Sequence, residues 1–458
     1  MDQRTVRQRI SRVTIAASFG FALVQLDVSI VNIALPRIAT DLHAGVAGLQ
    51  WVVDAYTLAF AVLLLSMGFL GDRLGARKVY LAGMLLFALS SILCGFSVDA
   101  VMLIVGRMLQ GVGAAAMLPC SLALLSHATA HEHALRARAI GWWTAAGSIT
   151  IAAGPLIGGL LMSVTTWRSI FFVNVPICIL GAWLTLRVPE TEREVRGKHF
   201  DLRGQILAVL ALTALTITVI EAKPLGWTHP WVLACIATTL LAVPLFIWQE
   251  SRCPSPMLPL RFFRAPGFSA AVIYGVIVNL TYYGIVFLLS LYLQRVHGYT
   301  ALQTGLAYLP LTATFFGVNI FSGWLVGRAG AKLPMVLGAL IDAFGFSLFL
   351  LLGAQSPYLL MLPAFALLPC GMGLGVPAMT TTVLSAVEKQ ASGTASGVLN
   401  AARQAAGAIG VALFGALAGD SNAWIVRGLH DSAWISVILL LIAAAVAFRG
   451  AAARKQTR

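Results

Sequence analysis

Apolar residues in this chain gather into long unbroken runs rather than alternating with polar ones. Fourteen runs stand out, near 13–35, 47–70, 79–98, 101–125, 139–162, 170–187, 205–222, 231–249, 268–291, 304–327, 334–353, 357–384, 395–418 and 433–449. Each is about as long as the roughly 20-residue helix that crosses a bilayer core. The pattern predicts an all-α polytopic membrane protein with 14 transmembrane helices. Composition agrees: 59% of the residues are hydrophobic and only 10% charged, too few polar groups to cover a water-soluble protein of this size.

Charge then orients the runs. With Met1 in the cytoplasm, 24 of the 31 Lys and Arg fall in cytoplasmic tails and loops and five in external loops, while Arg107 and Arg403 lie inside spans. This is the positive-inside asymmetry. It predicts a multi-pass protein of the cytoplasmic (inner) membrane with both termini cytoplasmic. The net charge of +14 therefore reads as topology, and no soluble basic domain supports nucleic-acid binding. Six cysteines without paired spacing suggest packing residues, with no disulfide or zinc framework. His127, His131 and His133 read as a solvated loop, and no metal is expected.

A duplication is visible beneath the runs. "GFLGDRLGARK" (68–78) aligns with "GWLVGRAGAK" (323–332), and "GWWTAAGSITIAAGPLIGG" (141–159) with "GVLNAARQAAGAIGVALFG" (397–415), at nearly one offset. Two spans are left over between the copies. The expected organisation is a basic N-terminus (1–12), a six-helix bundle (13–187), an inserted two-helix segment with cytoplasmic linkers (188–267), a second six-helix bundle (268–449) and a C-terminal tail (450–458). Parallel halves around a central site are a transporter architecture.

Charges inside the spans are the candidate chemistry. Asp27 is the sole ionisable group between Arg12 and Arg37, and intramembrane acids are functional by default. A carboxylate there can hold a proton or a cationic compound, but not both comfortably, which is what exchange requires. Permanent pairing with Arg107 is the structural alternative. Arg107 and Gln110 share a helix face, and the repeat places Leu367 opposite Arg107, so the fold alone does not demand the charge. Asp54 and Asp342 are further candidates for the proton. Asn32, Trp51, Tyr56, Gln110, Trp143, Tyr282, Tyr283, Phe287 and Asn400, with Asp27, are the candidate substrate contacts; the aromatics among them could hold lipophilic cations through their ring faces. No GxxxxGK[ST] phosphate loop occurs, so ATP is not the expected energy source.

"GFLGDRLGARKVYL", "RMLQGVGAA" (107–115), "GPLIGG" (154–159), "LDVSIVNIALP" and "WRSIFFVNVP" together resemble the fourteen-spanner drug:proton antiporters of the major facilitator superfamily. The resemblance covers essentially the whole chain. It implies a major facilitator fold of two pseudo-symmetric six-helix bundles plus two inserted helices. It also implies proton-coupled export of diverse hydrophobic or cationic drugs by alternating access, with the proton as coupling ion and no cofactor. By resemblance Arg107 assists proton movement, Gly68, Gly71, Asp72, Arg73, Gly75, Arg77 and Lys78 form a gating loop, and Gly147, Gly154, Pro155, Gly158 and Gly159 form the antiporter motif that marks exporters. In the family this loop's carboxylate engages a helix end of the opposite half, here the one starting near Gly393; Gly327 stands in place of Asp72 in the second copy. The expected partners are a small hydrophobic or cationic substrate and the bilayer, for a monomer, with a periplasmic adaptor if the cell is Gram-negative. The alternatives are export of one endogenous metabolite, peptide, antibiotic or lipid precursor, and nutrient:proton symport.

Overall fold

The structure, a computed structural model, describes residues 3–129, 133–190, 200–388, 391–419 and 421–452. His131, part of the 188–267 linker (191–199) and the extremes of both tails lie outside the described residues. Fourteen helices long and apolar enough to cross a membrane occur among the described residues. They are α1 (Ile10–Asp41), α2 (Val46–Leu74), α3 (Ala76–Gly95), α4 (Ala100–Ala128), α5 (Ala139–Val164), α6 (Ser169–Leu186) and α7 (Leu202–Leu225). The rest are α8 (Pro230–Arg252), α9 (Pro266–Val296), α10 (Ala301–Ala329), α11 (Lys332–Leu351), α12 (Tyr358–Ser385), α13 (Ser392–Ala418) and α14 (Asn422–Gly450).

The helices start where local chemistry satisfies their free backbone N–H groups. The Asp99 carboxylate accepts from Met102 N at 2.7 Å to open α4, and Asp201 accepts from Gly204 N at 2.8 Å to open α7. Thr300 and Gln303 form a reciprocal capping box at α10. The largest departure from the apolar pattern is α14, which begins well before residue 433; Arg427 and Asp431, one turn apart at 4.0 Å, carry its polar first turns.

Two bundles share one neighbour pattern. In the first, α1 packs on α5, α2 on α4, and α3 on α4 and α6; in the second, α9 packs on α13, α10 on α12, and α11 on α12 and α14. The sequence duplication is thus a structural one. Its clearest local mark is the tight turn between the second and third helices of each half. Gly75 has φ +102° and Gly330 φ +75°, a left-handed conformation that glycine adopts without steric cost. The inserted α7 and α8 pair with each other, and α7 lies along both α2 and α13.

Opposite ends of the two bundles meet differently. We call the end where α1 begins and α14 finishes the terminal face, and the other the far face. Near the far face, α5 presses on α10 so closely that a Cβ at Gly159 would stand 2.8 Å from the Ala301 carbonyl, and one at Gly305 2.5 Å from that of Pro155. Gln50 on α2 donates to the Ala412 carbonyl at 2.5 Å on α13. A third seam has its cause in the sequence. Pro36 has no N–H, so the Asn32 carbonyl one turn earlier loses its helical donor, and Ser290 of α9 donates to it instead. Gln294 adds a bond to the Ile33 carbonyl at 3.0 Å. Toward the terminal face nothing approaches a Cβ position at Gly141 of α5, Gly317, Gly323 and Gly327 of α10, or Gly393 of α13. The bundles are sealed together at the far face, whereas toward the terminal face these positions of α5, α10 and α13 stand exposed, with Gly397 of α13 still meeting Leu65 of α2.

That seal is testable. Gly305→Leu should prise α5 from α10, since overpacking a close contact costs about 1–3 kcal/mol. The far-face separation between spin labels at Thr165 and Gln303, measured by double electron–electron resonance, is expected to gain a longer population. An unchanged distance distribution would show that these glycines do not control closure.

Candidate functional site

The centre of the first bundle is a closed polar network. Asp27, Ser91, Arg107, Gln110 and Asn174 are all buried, at no more than 1% exposure. Arg107 Nη1 donates to Asp27 Oδ2 at 2.5 Å and to Gln110 Oε1 at 2.8 Å, while its Nε donates to the Val52 carbonyl at 3.0 Å. Asn174 Nδ2 donates to Asp27 Oδ1 at 3.0 Å, and Gln110 Nε2 donates to Ser91 Oγ at 2.7 Å. The guanidinium lies 4.4 Å above the Tyr56 ring. Such a pair is tolerable in low dielectric because each charge has opposite charge, hydrogen bonds and a ring face around it.

Four helices build this centre. Asp27 comes from α1, Ser91 from α3, Arg107 and Gln110 from α4, and Asn174 from α6, whose helix is interrupted at Val173. A Cβ at Gly111 would collide with the Tyr56 carbonyl oxygen, so only glycine lets α4 come this close to α2 and carry Arg107 to Val52. Asn174 and Ser91 escaped the sequence reading. The signal was present in "WRSIFFVNVP", where an amide sits in an apolar run as Asp27 does.

Asp54 and Asp342 stand apart from that network and from any cation. Among the described residues neither forms an ion pair. Both are buried and each has one carboxylate oxygen without a partner. Thr57, one turn on, reaches Asp54 Oδ1 at 3.5 Å. Asp342 of α11 lies directly over Gly371 of α12, where any Cβ would collide with its carboxyl group. That carboxyl has no ion pair to lose among the described residues.

Two small cavities occupy the seam between the bundles. One is lined by Val28, Ser29, Asn32, Ile151, Pro155, Tyr282, Tyr283, Tyr308 and neighbouring aliphatic residues. The other is lined by Val28, Asn32, Tyr56, Thr57, Arg107, Tyr283, Gln404, Gly407 and neighbouring valines. Asn32, Tyr56, Tyr282 and Tyr283 from the expected substrate set therefore converge. Asp27 and Gln110 lie just behind, in the Arg107 network. Trp143 sits nearer the terminal face, stacked on Phe21 at 3.9 Å and donating to Ser121 at 3.1 Å. Asn400, partly buried, donates to the Ser396 carbonyl at 3.0 Å.

Two expected contacts lie elsewhere. Trp51 points away from the seam and donates to Glu221 of α7 at 2.8 Å; its aromaticity marked it, but α7 claims its indole N–H. Phe287 is wholly enclosed in the apolar core and lines neither cavity, because its helix turns that position away from the seam.

The glycine motif has a plain geometric content. Side chains at Gly147, Gly154 and Gly158 would run into Phe21, Ser29 and Ile30 of α1, and one at Gly159 into α10. The motif thus zips α5 to α1 and touches the second bundle at its last position. In the loop motif Gly68 packs near Pro119, Gly71 near Cys120 and Gly75 near Glu190. Asp72, Arg73 and Lys78 are exposed at the terminal face, with Arg77 partly so.

Comparison with known proteins gives the arrangement a family. The chain is 39% identical over 403 residues to the multidrug resistance protein Stp of Mycobacterium tuberculosis, covering 88% of this chain and 75% of that one. It is 36% identical over 417 residues to the methylenomycin A resistance protein of Bacillus subtilis, covering 90% and 88%. It is 35% identical over 434 residues to the cephamycin export protein CmcT of Amycolatopsis lactamdurans, covering 93% and 89%. In fold it matches a bacterial homologue of the human lysosomal transporter Spinster, at TM-score 0.64 and 17% identity over 96% of this chain and 97% of that one. The Major Facilitator Superfamily profile matches residues 17–411. With its duplicated bundles and fourteen apolar helices, this chain is a multi-pass membrane transporter belonging to the Major Facilitator Superfamily.

Proposed function

We propose that the chain is a proton-coupled antiporter that exports lipophilic drug-like compounds across the cytoplasmic membrane by alternating access, with the proton as coupling ion and no cofactor. The observation that carries this reading is the coexistence of buried acids with bundles sealed together at the far face, while positions of α5, α10 and α13 stand exposed toward the terminal face. The terminal face, rich in Lys and Arg, is the cytoplasmic one by the positive-inside rule. The seam between the bundles then loads substrate from the cytoplasm or inner leaflet, and rocking of the bundles delivers it outward.

Protons are the natural currency for such acids. Asp27 can take a proton only as its bond to Arg107 loosens, which ties protonation to movement of α1 against α4. Asp342 holds a second proton without rearranging a pair. Exchange of a cationic compound directly at Asp27 requires the compound to displace Arg107, so geometry favours Asp27 as a proton site. Relatives described as methylenomycin A resistance and cephamycin export proteins favour a second reading, export of a single antibiotic or metabolite by the same machinery.

The test is transport in proteoliposomes under an imposed pH gradient, with ethidium and uncharged lipophilic dyes as probes. Each coupled proton is worth about 1.4 kcal/mol, or tenfold accumulation, per pH unit. Accumulation should scale with the gradient and collapse with nigericin. Flux indifferent to the gradient would sink the antiport reading.

A further inference from the structure

We propose that the transported molecule carries a carboxylate, and that Arg403 on α13 receives it. This rests on the antiport reading and names the substrate class of the same cleft.

The two intramembrane arginines are treated very differently by the fold. Arg107 has Asp27, Gln110, the Val52 carbonyl and the Tyr56 ring. Arg403 is partly buried, and among the described residues its one hydrogen bond runs from Nη1 to Asn400 Oδ1 at 3.5 Å, the outer limit for a hydrogen bond. Its Nε has no partner, and no carboxylate among the described residues lies within 4.0 Å. Ser392 opens α13, so Arg403 stands about 16 Å along the helix at 1.5 Å per residue. That is too deep for its side chain to reach water at the helix end. A charge kept there without a counter-ion is costly, and a ligand that brings the counter-ion removes the cost.

The surroundings fit a lipophilic acid. Asn400, Arg403, Gln404 and Gly407 recur at three- and four-residue spacing and share one side of α13. Gln404 and Gly407 line the second cavity. The Arg403 stem lies against Gly275 of α9, its Cγ 3.4 Å from a Cβ position there. Tyr283 lines both cavities, with Tyr282 and Tyr308 in the first and Tyr56 in the second. A guanidinium fork matches a carboxylate in two parallel bonds, and the tyrosines suit an apolar body. Neither cavity is lined by a carboxylate among the described residues, and Asp27 behind them is held by Arg107.

The experiment uses the full-length protein in lipid nanodiscs and three tritiated probes. These are 1-pyrenebutyrate, its methyl ester, and the matching pyrenyl trimethylammonium cation, with binding read by scintillation proximity. Wild type should bind the acid at least tenfold more tightly than the ester. Arg403→Gln should remove that preference and leave ester binding unchanged, and Arg403→Lys should restore most of it. Tighter binding of the cation, or an equal loss of all three probes in Arg403→Gln, would overturn the assignment. Gradient-driven movement of the same probes in proteoliposomes judges the antiport reading separately. A pumped ester or cation without acid preference removes the Arg403 assignment alone, whereas three immobile probes remove antiport.

Discussion

Asp27→Asn is expected to abolish gradient-driven transport and to lower stability together, the latter by about 3–5 kcal/mol. The amide keeps its size and can still meet Asn174, but Arg107 becomes a buried cation with no opposite charge. Loss of flux in this variant alone therefore proves little. The informative comparison is Asp27→Leu combined with Arg107→Met. Replacing both members of a buried pair with apolar groups of similar shape is often neutral or stabilising. The double variant should unfold within about 1–2 kcal/mol of wild type, allowing for Gln110 and Asn174 losing a partner. Its gradient-driven flux should still be absent. Stability is read by chemical denaturation monitored through tryptophan fluorescence, and flux in proteoliposomes. A double variant that still pumps would reduce the pair to scaffolding.

Asp342→Asn should separate the same two quantities in the opposite way. Asp342 forms no ion pair among the described residues and leaves one oxygen unpartnered, so the isosteric amide breaks no charge pair. Unfolding should shift by less than about 1 kcal/mol, within the range of changes that disturb no packing. Transport is where the loss is expected. Removing one coupled proton lowers the attainable accumulation about tenfold per pH unit of gradient. It also removes one charge from the cycle, worth about 2.3 kcal/mol per 100 mV of membrane potential. Accumulation ratios measured against gradient size and against imposed voltage should both flatten. Identical slopes in wild type and variant would exclude Asp342 from coupling and leave Asp54 as the other unpaired acid.

The contrast between these two acids was not available from the chain as text. Asp27 and Asp342 look alike in one dimension, each a single carboxylate within an apolar run. Whether an arginine meets one of them depends on the rotation of α4 against α1 and α2, set by glycines such as Gly111 and by the break in α6 at Val173. The packing of α3 and α6 likewise brought Ser91 and Asn174 into the network around Asp27, and the packing of α9 enclosed Phe287 in the core. Trp51 was lost to the site through a helix outside both repeats, since Glu221 belongs to inserted α7.

What the sequence determined by itself is the part governed by local physics. Run length against bilayer thickness gave the helices, and self-similarity gave the two halves with two spans left over. Isolated charges in apolar surroundings marked Asp27, Arg107, Asp342 and Arg403, because the cost of such a charge is visible without knowing its neighbours. Tertiary structure alone decided which of those charges are neutralised, which aromatics reach the seam, and which face of the cleft is shut. Those outcomes rest on contacts between helices far apart in the chain, such as Ser290 with the carbonyl that Pro36 leaves bare. Hydropathy registers that a residue is buried; only packing determines what it is buried against.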